Sequence, residues 1–192
     1  DLLVERSARD GPWMAHWVDG PGCCWIDSDY ALLVRRAAVE AGRYAEWRRA
    51  WQPAFGLPGG AAMVAEEVQT AGGPVGVSGS PMALFIRDRA PVAIPNVLES
   101  FDVADHAWID IKRLIALLSS AQRSSPPSVA KRTIEETLEH LGNCFWWYCS
   151  RIEDELPEWP DAGLSFEERA DAYLRLSRSW CLERAGVDGP SV

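Results

Sequence analysis

From Asp29 to Trp51 the apolar side chains Leu33, Ala37, Tyr44, Trp47 and Trp51 recur at helical intervals and mark one face of an α-helix. Ser28 or Asp29 can cap its start, and Pro53 ends it. A stronger stripe runs through Ile134, Leu138, Leu141, Phe145, Tyr148, Ile152 and Leu156, in steps of three and four. It predicts a helix capped by Ser128 and stopped by Pro157. Ahead of it, Trp108, Ile111, Leu114, Ile115 and Leu118 predict another helix, capped by Asp102 or Asp105. Ser165 and Glu168 form a capping box for a last helix, which carries Phe166, Tyr173, Leu174 and Leu176 and ends at Gly186. A short helix is expected from Ala61 to Gln69.

The rest of the chain is punctuated by turn residues. Residues 1–28 mix turn formers with aromatics and read as an irregular, Trp-rich segment, either short strands or a packed loop. Residues 71–81 are a glycine-rich connection. In residues 82–97 two apolar runs flank Arg87, Asp88 and Arg89, which predicts a small hairpin with Pro91 and Pro95 confining its second run to an edge. The expected fold is mainly α with a small β-hairpin (α+β), about five helices in one compact domain over 1–192, with 102–186 as the helical half. Neither the glycine-rich stretch nor the Ser-Pro loop at 124–128 reads as a domain boundary, because each flank is too small to stand alone.

Length and composition are those of a globular chain. At 192 residues a sizeable core forms without metal or disulfide. The net charge of −9 argues against broad nucleic-acid binding. No apolar run is long enough to span a membrane, since Val68 to Ile86 is broken by glycines and prolines. Five cysteines, Cys23, Cys24, Cys144, Cys149 and Cys181, match no disulfide or zinc spacing and suit reduced thiols in the cytoplasm. The chain opens on Asp1 rather than Met, which leaves room for a preceding leader. Of 19 basic residues only Lys112 and Lys131 are lysine, a bias that fits a GC-rich bacterial or phage genome. Ten tryptophans fit a Trp-rich core, since Trp13/Trp17 and Trp47/Trp51 have the spacing of one helix face; Trp is also common at interfaces.

Charge placement carries the main functional expectation. Eleven acids against two bases lie between Glu135 and Asp171, an excess equal to the whole net charge. Such a stretch is either a solvated face, an internal partner of the Arg-rich helix at 29–51, or a docking surface for a basic partner. The expected contact residues are Glu153, Asp154, Glu155, Glu158, Trp159, Asp161, Glu167 and Glu168, with Trp159 as an aromatic inside a charged rim. Carboxylates at this density can also imitate nucleic-acid phosphates.

Motifs for chemistry are sparse. Gly76 to Ser80 approaches a nucleophile elbow but ends in Ser rather than Gly. His106 has Asp102 and Asp110 four residues to either side, and His140 has Glu136 four before it. Two such helices face to face would make a carboxylate–histidine metal site, although the bundle pattern uses Glu-x-x-His. No nucleotide-binding, zinc-binding, helix-turn-helix or kinase signature is present, and no cofactor is expected. The leading expectation is a non-enzymatic acidic module that binds and blocks, or scaffolds, a protein with a basic surface. Immunity proteins, antitoxins, phage inhibitors and phage assembly subunits form that class. The alternative is a small enzyme using Asp102, His106, Asp110, Glu136 and His140. Self-association through the Trp-rich N-terminal segment is a third reading.

Overall fold

The computed structural model describes residues 1–8, 11–56, 63–72, 75, 83–126, 132–150 and 163–184. Three strands, not irregular chain, precede the first helix: β1 (Leu2–Arg6), β2 (Trp13–Trp17) and β3 (Cys24–Asp27). Helix α1 (Tyr30–Arg49) follows, and then β4 (Ala65–Thr70). The sheet order is β3-β2-β1-β4, with β1 antiparallel to β2 and parallel to β4. The region expected to be a short helix is therefore a strand over most of its described length. Local spacing there is ambiguous, and the ladder to β1 more than sixty residues away decides the matter.

Strand alternation sorts the first core. Register sets Leu2 opposite Trp17, Val4 opposite Ala15, and Ala15 opposite Trp25, all on the face that α1 covers. Trp13 and Trp17 do share a face, but of a strand: a spacing of four is even, so it satisfies both periods. On α1 the buried positions are Leu33, Ala37, Ala41, Ala45 and Arg48. The sheet supplies the tryptophans and the helix supplies alanines, so large residues meet small ones across the interface. Asp29 caps α1 by accepting from the Leu32 N–H at 2.9 Å.

Within the expected hairpin at 82–97, the described residues 83–97 form no strand. Residues 83–89 lie against the sheet's second face and end in a single 3-10 turn at Arg87–Arg89. Helix α2 (Ile94–Ala116) then starts with Pro95 in its first turn, where the missing N–H costs nothing. That replaces the expected start at Asp102 or Asp105.

Contacts gather the chain into two compact units, Asp1–Pro91 and Val92–Val192, each with its own core. The second unit holds α2, the short α3 (Ser120–Ser124), α4 (Ile134–Ser150) and α5 (Phe166–Arg184). Among the described residues the chain is thus α+β, with five α-helices and one four-stranded sheet. Thr133 starts α4: its hydroxyl accepts from the Glu136 N–H at 3.1 Å while Glu136 accepts from the Thr133 N–H at 2.7 Å. The expected cap Ser128 and the continuation through Ile152, Leu156 and Pro157 lie outside the described residues, as do the Gly76–Ser80 motif and Gly186. The core of this unit is Trp108, Ile115, Leu138, Ala170 and Leu174. No helix among the described residues is long and apolar enough to cross a membrane.

Candidate functional site

The acidic stretch begins on α4, and Glu136, Glu139, Glu167, Glu168 and Asp171 are engaged within the second unit. Glu136 caps α4, and Glu139 lies 3.8 Å from the Arg169 guanidinium. Glu167 accepts from Arg123 at 2.9 Å. Glu168 closes the capping box of α5, accepting from the Ser165 N–H at 2.8 Å while its own N–H donates to the Ser165 hydroxyl. Those Ser165 contacts hold the Glu168 carboxyl below its usual range. Asp171 accepts from the Trp108 indole at 2.9 Å, from Lys112 at 3.3 Å, and from Arg175. Burial pushes the Asp171 carboxyl up, but these donors and the two cations outweigh it and leave it lowered. The partners of Glu139, Glu167 and Asp171 thus sit on α2, α3 and α5. Glu167 and Glu168, expected as contact residues, each bond within the second unit. Glu153, Asp154, Glu155, Glu158, Trp159 and Asp161 lie outside the described residues.

At the end of α4, just before that cluster in sequence, two large aromatics face solvent. Trp147 is 44% exposed and Tyr148 is 50% exposed. Their rings meet edge to face with centroids 5.1 Å apart. Tyr148 belongs to the apolar stripe read from the sequence, yet it is half exposed; of that stripe Leu138 is buried in the core, and Ile134, Leu141 and Phe145 pack against it.

The alternative metal ligands do not converge. All five are described, and no group of three His, Cys, Asp or Glu able to hold a metal exists among the described residues. Asp102 and its neighbour Asp105 turn to Arg178 on α5. Asp110 accepts from Arg113 at 3.0 Å. Glu136 is used as a cap, and His140 lies 3.7 Å from the Cys144 sulfur one turn along α4. Each carboxylate has found a closer cation or N–H, which is what pulls the set apart. Burial raises the Cys144 thiol pKa, against a weaker opposing pull from Arg132.

Two buried polar clusters of the first unit escaped the sequence reading. Glu5 is fully buried, and its Oε1 lies 2.8 Å from His16 Nε2. Its Oε2 accepts from the Ala83 N–H at 2.9 Å. Further along the same segment, the Ile86 N–H donates to Glu67 at 3.0 Å and Gln69 donates to the Leu84 carbonyl at 2.9 Å. Arg87 makes a two-pronged pair with Glu66, at 2.8 and 2.9 Å. Phe85 packs edge-on to His16. Strand parity held the signal: in LLVER, Glu5 falls on the face of Leu3, opposite the face that carries Leu2 and Val4.

Arg48, at the end of α1, is also fully buried. Its guanidinium lies over Phe55 at 4.3 Å and Trp51 at 5.0 Å, and it bonds to Gln52. Nearby, the Cys23 thiol is pushed up to about 11, first by burial and then by Cys24, against an opposing pull from Arg48. No protein-family model matches the chain, and comparison with curated proteins and with solved structures gave no match either.

Proposed function

We propose that this chain is a non-enzymatic protein-interaction module. It takes a protein partner with a basic surface on its acidic C-terminal half and acts by blocking or scaffolding that partner. The observation that carries the reading is the half-exposed Trp147–Tyr148 pair at the end of α4. It lies immediately before Glu153, Asp154, Glu155 and Glu158 in sequence. Large aromatics anchor interfaces because they bury much area at little entropic cost, and a charged rim steers the partner and sets its register. Because Glu167 and Glu168 are engaged by Arg123 and Ser165, we assign the partner contacts to Glu153, Asp154, Glu155, Glu158, Trp159 and Asp161 together with the aromatic pair.

The test is retention of a stoichiometric partner from the native lysate by the immobilised full chain. Three forms are compared: wild type, Trp147→Ala/Tyr148→Ala, and Glu153→Gln/Asp154→Asn/Glu155→Gln/Glu158→Gln. Wild type should hold the partner at about 0.01 M salt and release it near 1 M, where screening acts beyond roughly 3 Å. Both variants should lose it at low salt with unchanged circular dichroism. A partner held equally at high salt, or by both variants, would overturn the assignment.

A further inference from the structure

Helices α2, α4 and α5 leave a cavity of about 140 Å³ between them, open on one side. Ala104, Ala107 and Trp108 of α2 line it, with Phe145 of α4 and Ala170 and Leu174 of α5. Three of its lining residues are alanines, whose short side chains leave room beside the Trp108 and Phe145 rings.

The Trp108 wall of the cavity is held in place. The Trp108 indole N–H is turned out of the cavity and donates to Asp171 at 2.9 Å. The Lys112 ammonium sits 5.5 Å from the centroid of the same ring and 3.3 Å from the same carboxylate. The ring is therefore clamped from outside, and it cannot swing in to fill the space without breaking a charge-assisted bond. With that N–H directed outward, the lining side chains present carbon to the interior. A cavity of this size without polar partners does not hold an ordered water, which needs two to four of them. An enclosed cavity of about 150 Å³ with such a lining accepts a benzene-sized guest, and this one offers the same apolar walls with one side open.

We propose that this cavity is a binding site for a small apolar molecule of single-ring size. The Trp108 and Phe145 rings supply its aromatic walls, and the three alanines supply its depth. The site discriminates against hydroxylated guests, because a hydroxyl turned inward finds no acceptor or donor to replace water and such a guest is confined to poses that keep this group at the open side. The inference is independent of the protein-interaction reading.

Benzene and phenol serve as probes on the full-length chain. Isotope-filtered NMR should give saturable cross-peaks from benzene protons to the methyls of Ala104, Ala107 and Leu174. Benzene should also raise the melting temperature, and phenol should bind at least about tenfold more weakly. Ala107→Leu fills the cavity and should abolish the cross-peaks. Should that variant not fold, Ala104→Val gives the same comparison with less added volume. Absent cross-peaks and an unmoved melting temperature at saturating benzene would overturn the proposal. So would benzene binding that survives the filled variant, or phenol binding as tight as benzene.

Discussion

A methyl group is enough to test the packing at two glycines. A Cβ on Gly20 would lie 2.1 Å from the Trp17 ring, and one on Gly142 would lie 2.8 Å from the Tyr173 ring and 3.4 Å from the Ala170 Cα. In a helix, Gly→Ala ordinarily stabilises by about 1 kcal/mol. At Gly142 the clash between α4 and α5 reverses that sign, so Gly142→Ala should lower stability by roughly 1–3 kcal/mol in urea unfolding. An unchanged or raised midpoint would contradict the packing described. Among the thiols, Cys23 at about 11 carries roughly one thiolate per thousand at pH 8. Its alkylation by iodoacetamide should be very slow at pH 8 and should accelerate steadily towards pH 11, as followed by peptide mass mapping. A rate at pH 8 equal to that of a free thiol would refute the burial of this side chain.

Among the elements, two depend on single carboxylates. Glu5 joins β1, β2 and the 83–89 segment through His16 and the Ala83 N–H. Glu5→Ala removes a fully buried acceptor and should cost about 3 kcal/mol or more. Loss of amide-exchange protection at Ala83 would show that the segment is released with it. Asp171 joins α2 to α5 through Trp108 and Lys112. Its folded pKa is lowered, so its contribution is present above the unfolded carboxylate range and is lost as pH falls through the folded value. Asp171→Ala should cost about 2 kcal/mol at neutral pH and should flatten the acid limb of the stability curve. A variant with an unchanged acid limb would show that these contacts do not stabilise the fold.

For the whole molecule, Glu136, Glu139, Glu167, Glu168 and Asp171 of the acidic stretch bond within the second unit, while the proposed function assigns Glu153, Asp154, Glu155 and Glu158 to a partner. Neutralising Glu167 and Glu168 should therefore lower the melting temperature, whereas neutralising Glu153, Asp154, Glu155 and Glu158 should leave it unchanged and weaken partner retention. The sequence by itself determined α1, α5 and the bodies of α2 and α4: periodicity, the Asp29 cap and the Ser165–Glu168 box are local, and local hydrogen bonds and amphipathic faces suffice to specify them, whereas the start of α2 and the short α3 were not legible in it. It also determined the charge excess and the abundance of tryptophan. Only the tertiary structure decided that the first 28 residues pair as strands and that Ala65–Thr70 joins them, because a sheet ladder is made between segments distant in sequence. It likewise decided that Asp102, His106, Asp110, Glu136 and His140 do not meet, because each carboxylate settles on the nearest cation or N–H that folding brings to it. Glu5 was in plain view as one acid among 28, and only strand parity with a paired neighbour identifies it as a buried one.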